Sequence, residues 1–196
     1  PRSTLFPDTT LVGAVSLSGC LSSPQGAQYD AEDANHQDIR KQSLYRFKTK
    51  AIKPSGESYW GSDDLAQLFY VPGETASVVE LRFNYPAKTV QATSLDAQNN
   101  VVQQQTYILL DASASQPDDK NNRYLRLSKN GEILKKSRNC TPDMSVGCMW
   151  HNHEIFLTQS GNLAVQYESG GAGLAFLVFP MYNSQKYFEI FPKAPD

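Results

Sequence analysis

Short segments in which apolar and polar residues alternate recur along most of this 196-residue chain. Residues 43–52 show the pattern, because Tyr45 and Phe47 fall on one side of an extended chain while Arg46 and Lys48 fall on the other. Such alternation with period two predicts a strand with one buried face. A chain made of these segments must bring their apolar faces together in a common core, which restricts it to all-β folds.

Turn-forming residues separate the segments and suggest how they connect. Residues 96–100 join two of them, and the clearest hairpin surrounds Asn130 and Gly131, a pair that suits a type I′ turn. Counting the segments gives about nine or ten short strands with little helix, which predicts an antiparallel β-sandwich or a small barrel. We assign residues 43–193 to a single all-β domain, since the chain is long enough to bury one core.

Two further expectations concern the C-terminal part of the chain. Residues 173–180 are apolar at nearly every position, so we expect a central strand that is covered on both faces. Residues 168–173 read ESGGAG, and a glycine-rich loop binds phosphate when a helix follows it. A strand pattern follows here, so we expect the glycines to form a hairpin turn.

The chain contains three cysteines, namely Cys20, Cys140 and Cys148. Cys140 and Cys148 bracket a short segment that contains Pro142 and Gly147, so its ends can meet and a disulfide is expected. Closing a loop this short stabilises a protein by roughly 2–3 kcal/mol in the chain-entropy model. Disulfides persist in oxidising compartments, and this pairing leaves Cys20 to be explained.

Cys20 ends a short apolar run whose last residues are Leu17, Ser18 and Gly19. These four residues resemble the bacterial lipobox, in which an aliphatic residue and two small residues precede an invariant cysteine. The resemblance implies that residues 1–19 are a signal segment, that Cys20 receives a lipid and that a polar tether follows. The alternative is a first buried strand, with Cys20 as a small core residue.

Residues 20–42 carry few large apolar groups, so we expect lipid attachment followed by a polar linker. Within it, residues 31–41 suit a short helix, because their acidic residues come first and their basic residues last. One lipid and one disulfide would use all three cysteines. The predicted location is therefore the bacterial cell envelope, with the protein lipid-anchored, facing the periplasm and attached to the outer membrane.

The net charge of −2 implies no general attraction to nucleic acid or to anionic membranes. Residues 120–138 are nevertheless basic, with seven lysines and arginines against Glu132 alone. This segment suits a solvated edge hairpin, a docking surface for an acidic protein or a contact for anionic headgroups. The candidate partner-binding residues are Arg123, Arg126, Lys129, Lys135, Lys136 and Arg138, together with the aromatic pair Tyr59 and Trp60.

His151 and His153 are the candidate metal ligands. They lie two apart in a predicted strand and would share one face, from which they could offer two nitrogens to one ion. The alternative is that they are polar residues that leave the cysteine loop. No serine has the strand-turn-helix context of a nucleophile elbow. We therefore expect no enzyme, no catalytic residue and no cofactor.

These observations predict a recognition protein. We expect an envelope lipoprotein that binds and blocks another protein and does not bind nucleic acid. The most specific form of this prediction is an immunity or inhibitor protein against an antibacterial effector, a toxin or an envelope hydrolase. One alternative is a structural lipoprotein subunit of an envelope secretion or pilus machine. The other is a metal- or ligand-binding β-domain, or an enzyme, that uses His151 and His153.

The variant Cys20→Ser tests the lipid anchor. We expect the wild-type protein, expressed in a bacterial host, to sediment with membranes and to carry the added mass of a diacylglycerol. The variant should lose both properties, because a hydroxyl cannot replace the thiol that accepts the lipid. Membrane fractionation and mass spectrometry measure this, and identical mass and fractionation of the two proteins would contradict the prediction.

Overall fold

The computed structural model describes residues 24–52, 64–119, 121–141, 146–175 and 179–195. Within these ranges nine strands form one sheet, with two helices and one 3-10 turn, which confirms the prediction of an all-β fold with little helix. The helices are α1 (Pro24–Ala34) and α2 (Leu65–Leu68), and the 3-10 turn is Ile39–Lys41. The strands are β1 (Leu44–Lys48), β2 (Val78–Asn84), β3 (Thr89–Leu95), β4 (Val101–Asp111), β5 (Arg123–Leu127), β6 (Ile133–Thr141), β7 (Val146–Leu157), β8 (Leu163–Ala175) and β9 (Phe179–Phe191).

The strands lie side by side in their order along the chain, and the two outer strands also meet. The amide of Lys48 donates to the carbonyl of Pro192, and the amide of Ala194 donates to that of Arg46, both at 2.9 Å. These bonds close the sheet into a small barrel, one of the two predicted architectures. The pairing is antiparallel except between β4 and β5, which run parallel.

The closed sheet buries the inner face of each strand. Phe47, Leu125 and Ile155 are at most 1% exposed, and they belong to one large apolar cluster. Helix α2 packs across one end of the barrel, where it adds Leu65 and the following Phe69 to the same cluster. Strands β6 to β9 continue outward from this end.

Three hairpin loops share one geometry, in which a residue in the left-handed region follows a tight turn. That residue is Asn99 after β3, Gly131 after β5 and Gly161 after β7, with φ of 63°, 84° and 84°. The predicted hairpin at Asn130 is confirmed, but its predicted type I′ turn is wrong, because Asn130 does not have the positive φ that this turn needs. The Ser128 hydroxyl accepts from the amides of Asn130 and Glu132, which favours the longer loop.

Residues 24–41, which the sequence assigns to a polar linker, lie against the barrel. The ring of Tyr29 in α1 meets Phe156 and Phe188 edge-on, at centroid distances of 5.9 and 5.5 Å. Ile39 is completely buried in the main core. The helix spans Pro24–Ala34, ahead of the predicted 31–41. Tyr29 and Ile39 supply apolar contacts between this segment and the barrel, which its average composition does not reveal.

Strands β6 to β9 continue past the barrel as a four-stranded projection that we call the arm. The arm comprises residues 136–141, 146–152, 168–175 and 179–186, and its pairing continues to Thr141 opposite Gly147 and Ala175 opposite Phe179. The sequence expectations for this region are wrong in two ways. Residues 170–173 lie inside β8 and form no turn. The described residues of the apolar segment, 173–175 and 179–180, lie at the end of the arm, where Leu174 is 39% exposed.

His36 joins α1 to the loop between β5 and β6. Its Nδ1 lies 2.6 Å from the carbonyl of Asp33, and its Nε2 lies 3.1 Å from that of Asn130. A carbonyl only accepts hydrogen bonds, so the protonated ring satisfies both contacts. Burial by itself lowers the pKa of His36, but these two bonds and the carboxylates of Glu132 and Asp33 outweigh it and raise the pKa above 6.5.

This arrangement predicts a pH-dependent stability. A group whose pKa is raised on folding stabilises the protein fully below its unfolded pKa, and this contribution is lost as the pH rises through the folded value. The free energy of unfolding should therefore fall above the ordinary value of 6.5. Urea unfolding between about pH 5 and pH 9 measures this, with His36→Gln as the comparison. The prediction fails if both proteins show the same pH dependence above 6.5.

Candidate functional site

The inner face of the barrel becomes polar where the arm begins. On each of three neighbouring strands, the next residue on the same face beyond the last buried apolar residue, in the direction of the arm, can carry charge. The apolar residues are Leu125, Ile133 and Ile155, and the polar residues are Arg123, Lys135 and His153. We call the group formed by Tyr70, Arg123, Lys135 and His153 the mouth.

Tyr70 holds two cations at the mouth. The guanidinium carbon of Arg123 lies 4.0 Å from the centroid of the Tyr70 ring, and the Nζ of Lys135 lies 4.1 Å from it. Both distances are within the range of cation–π attraction. The ring is 45% exposed, so the two positive charges are arranged around an aromatic group at the protein surface.

The backbone of Tyr70 has the left-handed φ of 55°. Its amide donates to the carbonyl of Gln67, and the amide of Val71 donates to that of Ala66, which is the hydrogen-bond pattern of a Schellman motif after α2. Glycine usually occupies this position, and another residue there costs about 1–2 kcal/mol. A tyrosine at this position is therefore retained at a cost in stability.

Lys135 is largely removed from water. Its Nζ donates to the carbonyl of Leu68 at 3.0 Å. Burial, and then the charge of Arg123, lower the pKa of Lys135 to about 8. Among the described residues, neither Lys135 nor Arg123 has a carboxylate within ion-pair distance. The mouth therefore carries positive charge that the described part of the chain does not neutralise.

His153 and His151 both lie on the inner face, as predicted for residues two apart in a strand. Burial, and then Lys135 and His151, lower the pKa of His153 to about 3, so its ring is neutral. Its Nδ1 is buried and has no hydrogen-bond partner among the described residues. The Nδ1 of His151 lies 2.7 Å from the Tyr167 hydroxyl.

The predicted histidine pair lacks a further metal ligand in the described residues. The one described cluster whose ligand atoms lie within 4.8 Å of one another is Asp33, His36 and Glu132. Both ring nitrogens of His36 already face carbonyl oxygens. His153 belongs to the mouth, and His151 lines the neighbouring groove of the arm.

The structure divides the predicted basic patch into separate regions. Arg123 and Lys135 lie in the mouth, whereas Lys136 and Arg138 are exposed on the outer face of the arm, because successive strand residues point to opposite sides. Arg126 donates to the carbonyls of Ala112 and Ala114 and so anchors the loop after β4.

Lys129 is exposed in the turn at the far end of β5, away from the mouth. The predicted residues Cys20, Tyr59 and Trp60 lie outside the described part of the chain.

The inner face of the arm forms a groove of about 750 Å³. Gly171 and Gly173 contribute little side-chain volume, which leaves space above β8. Met149 and Met181 line the groove toward the tip of the arm, and His151 lies toward the barrel. The two methionines are 61% and 63% exposed. The groove therefore changes from apolar at its outer end to polar near the mouth.

The outer face of the arm carries an aromatic pair. Trp150 lies against Gly170, the residue opposite it in β8, and its ring centroid is 5.9 Å from that of Tyr182. A Cβ atom at Gly170 would lie 2.4 Å from Cζ2 of Trp150 and 2.7 Å from the carbonyl oxygen of Asn183. Gly170 therefore makes the room that Trp150 occupies.

The predicted disulfide between Cys140 and Cys148 is present at directly opposed positions of β6 and β7. It crosslinks two of the four strands near the outer end of the arm. Sequence reasoning did not identify Tyr70, Met149, Trp150, Met181 or Tyr182. A tyrosine at the end of a short helix and scattered methionines form no local sequence pattern that indicates a binding surface.

Comparisons of this chain with protein-family models, with the curated proteins and with the solved structures find no match. In the described ranges, no helix combines the length and the apolar character needed to cross a membrane.

The variant Gly170→Ala tests the packing of the outer face. The new methyl group would displace Trp150, and we expect a loss of about 1–3 kcal/mol in the free energy of unfolding. The fluorescence of Trp150, recorded in a Trp60→Phe background, should shift to longer wavelength as its ring becomes exposed. Gly171→Ala is the matched control, because a Cβ there meets its nearest neighbour at 3.7 Å, an ordinary contact. Equal effects of the two variants would contradict this packing.

Proposed function

We propose that this protein binds another protein through its arm and blocks that protein's activity. In its most specific form, the proposal is an immunity or inhibitor protein that acts in the cell envelope against an antibacterial effector or hydrolase. The observation that carries it is the set of large apolar side chains that the arm exposes. This set comprises Met149, Leu174, Met181 and Tyr182.

The arm exposes these side chains at high fractions. Met149, Met181 and Tyr182 are 61%, 63% and 74% exposed. Methionine and aromatic side chains are enriched at protein interfaces, and grouped apolar side chains on a surface commonly mark interaction sites. The groove on one face and the Trp150–Tyr182 pair on the other give the arm two surfaces that a partner can cover.

Strand pairing and the disulfide favour binding by holding the arm in one conformation. Each of β7, β8 and β9 extends without interruption from the barrel into the arm. A binding element ordered before association loses less conformational entropy when it binds. A projecting sheet of this kind fits a concave surface, and occlusion of an active-site cleft is the mechanism that we propose.

The charge of the arm favours an acidic partner. Lys136 and Arg138 are exposed on β6, and Arg138 lies opposite Trp150 in the sheet register. Complementary charge around an apolar contact increases the association rate and selects among partners. The proposed envelope location rests on the lipobox resemblance at Cys20 and on the disulfide, which is typical of oxidising compartments.

Affinity capture with matched surface variants tests this proposal. The protein is immobilised and exposed to envelope and secreted extracts of the source organism and of a competing strain. We expect one stoichiometric partner whose hydrolase or toxin activity is lost when the two proteins are mixed at equal concentration. The double variant Met181→Asp, Tyr182→Asp should abolish capture, because it places charge in the apolar surface.

Val101→Asp is the control for this experiment. Val101 is 59% exposed at the start of β4 and does not belong to the arm, so the variant changes charge and hydrophobicity in the same sense elsewhere. It should capture the partner normally. Capture by the arm variant at wild-type levels, or a partner whose activity is unchanged on binding, would overturn the proposal.

A further inference from the structure

The mouth is a second surface, separate from the arm surfaces on which the proposed function rests. It contains two cations beside one aromatic ring, a buried histidine nitrogen without a hydrogen-bond partner in the described chain, and a strained tyrosine backbone. Burial of the Lys135 ammonium, the unpartnered His153 nitrogen and the left-handed Tyr70 backbone each lower the stability of the protein, whereas the Tyr70 ring attracts both cations. Together, these features of the mouth indicate a site that binds a ligand.

Lys135 is the first of these groups. An ammonium has three donors, and the described residues receive one of its hydrogen bonds, at the carbonyl of Leu68. Buried charges are ordinarily paired, because removing a charge from water costs several kcal/mol unless an opposite charge or hydrogen bonds replace the lost solvation. A carbonyl oxygen supplies one bond and no compensating charge.

Arg123 has the geometry that suits an anion. Its Nε donates to Oε1 of Gln105 at 3.3 Å, and no described residue accepts from its two terminal nitrogens. A guanidinium presents these nitrogens as a planar fork that matches the two oxygens of a carboxylate. The fork lies at the same ring as Lys135, so one anion at the ring edge is attracted by both charges.

Tyr70 places its ring where both cations contact it. The left-handed conformation of this residue is one that glycine would adopt without strain, and glycine would leave the two cations without the ring. Strained backbone commonly occurs at binding sites, where the surrounding structure maintains it. The tyrosine thus holds Arg123 and Lys135 together in the absence of an anion.

His153 contributes a third polar atom to the same wall. It lies directly opposite Lys135 in the sheet register, and its ring is neutral. A buried polar atom without a protein partner ordinarily binds a ligand, an ion or a water molecule. As an N–H donor, Nδ1 of His153 would complete the hydrogen bonds of a small planar anion.

We propose that the mouth is a carboxylate-binding site formed by Arg123, Lys135 and Tyr70, and that it receives an acidic side chain of the partner protein. The site itself is independent of the proposed function, and only the identity of the natural ligand rests on that function. A free carboxylate offers the same chemistry, so the two sources are separated by experiment.

The first experiment uses N-acetyl-glutamate methylamide as the probe and N-acetyl-glutamine methylamide as its uncharged counterpart. Side-chain N–H resonances of Arg123 and Lys135 are followed by NMR during titration of the intact protein. We expect saturable shifts with the glutamate compound only, together with a rise in the pKa of Lys135, because a bound carboxylate stabilises the ammonium. Equal shifts with the glutamine compound, or no saturable shift, would overturn the site.

Variants connect the binding to the named residues. Arg123→Gln and Lys135→Gln should each weaken binding of the glutamate compound about tenfold or more, the effect of losing one charge-assisted hydrogen bond. Tyr70→Gly should fold normally, since glycine suits the backbone, and should also weaken binding. Lys129→Gln is the matched control, because it removes an exposed positive charge at the far end of β5, away from the mouth. An equal loss with the control would show nonspecific attraction, and tighter binding of inorganic phosphate would overturn the assignment to carboxylate.

The second experiment separates this inference from the proposed function. If the partner protein contributes the carboxylate, Arg123→Gln should weaken its capture, while the arm double variant should still bind the glutamate compound. Binding of the compound without any captured partner would sustain the site and reject the proposed function. Capture of the partner at full strength by Arg123→Gln would reject the partner's side chain as the ligand.

Discussion

The hydrogen bonds between β1 and the segment after β9 determine the rest of this structure. Together with the bond from the amide of Ile52 to the carbonyl of Ile190, they close the sheet, so that the inner faces of the strands enclose one core. Without closure, both outer strands would expose unsatisfied backbone groups and α2 would have no ring of strands to cover. The mouth also depends on closure, because curvature brings β5, β6 and β7 around the end of α2.

Strands β6 to β9 are stabilised in different ways in the barrel and in the arm. In the barrel, large side chains such as Phe47 and Ile155 fill a common interior. The arm has no such interior, so small residues allow neighbouring groups to pack closely, as Gly170 does beneath Trp150. The disulfide adds a covalent crosslink between β6 and β7. Close packing at small residues and the disulfide stabilise the arm without a core, so large side chains stay exposed. This exposure underlies the proposed binding role.

Local sequence patterns were sufficient to predict part of this structure. Alternation identified the strands, turn residues identified the hairpin at Gly131, and short separation identified the disulfide between Cys140 and Cys148. The prediction of a central strand at 173–180 was wrong for its described residues, because a continuous apolar run has the same appearance in a buried strand and at the end of an exposed arm. The prediction of a linker over residues 24–41 was wrong too, since their polar average conceals Tyr29.

The sequence by itself determined the all-β class, the hairpin at Gly131 and one crosslink, because these depend on residues near one another in the chain. Only the tertiary structure decided that the sheet closes, that four strands project beyond it, and that Tyr70, Arg123, Lys135 and His153 meet. These four residues come from a helix end and three strands, and their meeting depends on strand register and sheet curvature. Neither property is encoded in a local pattern, because each results from how distant apolar faces pack together.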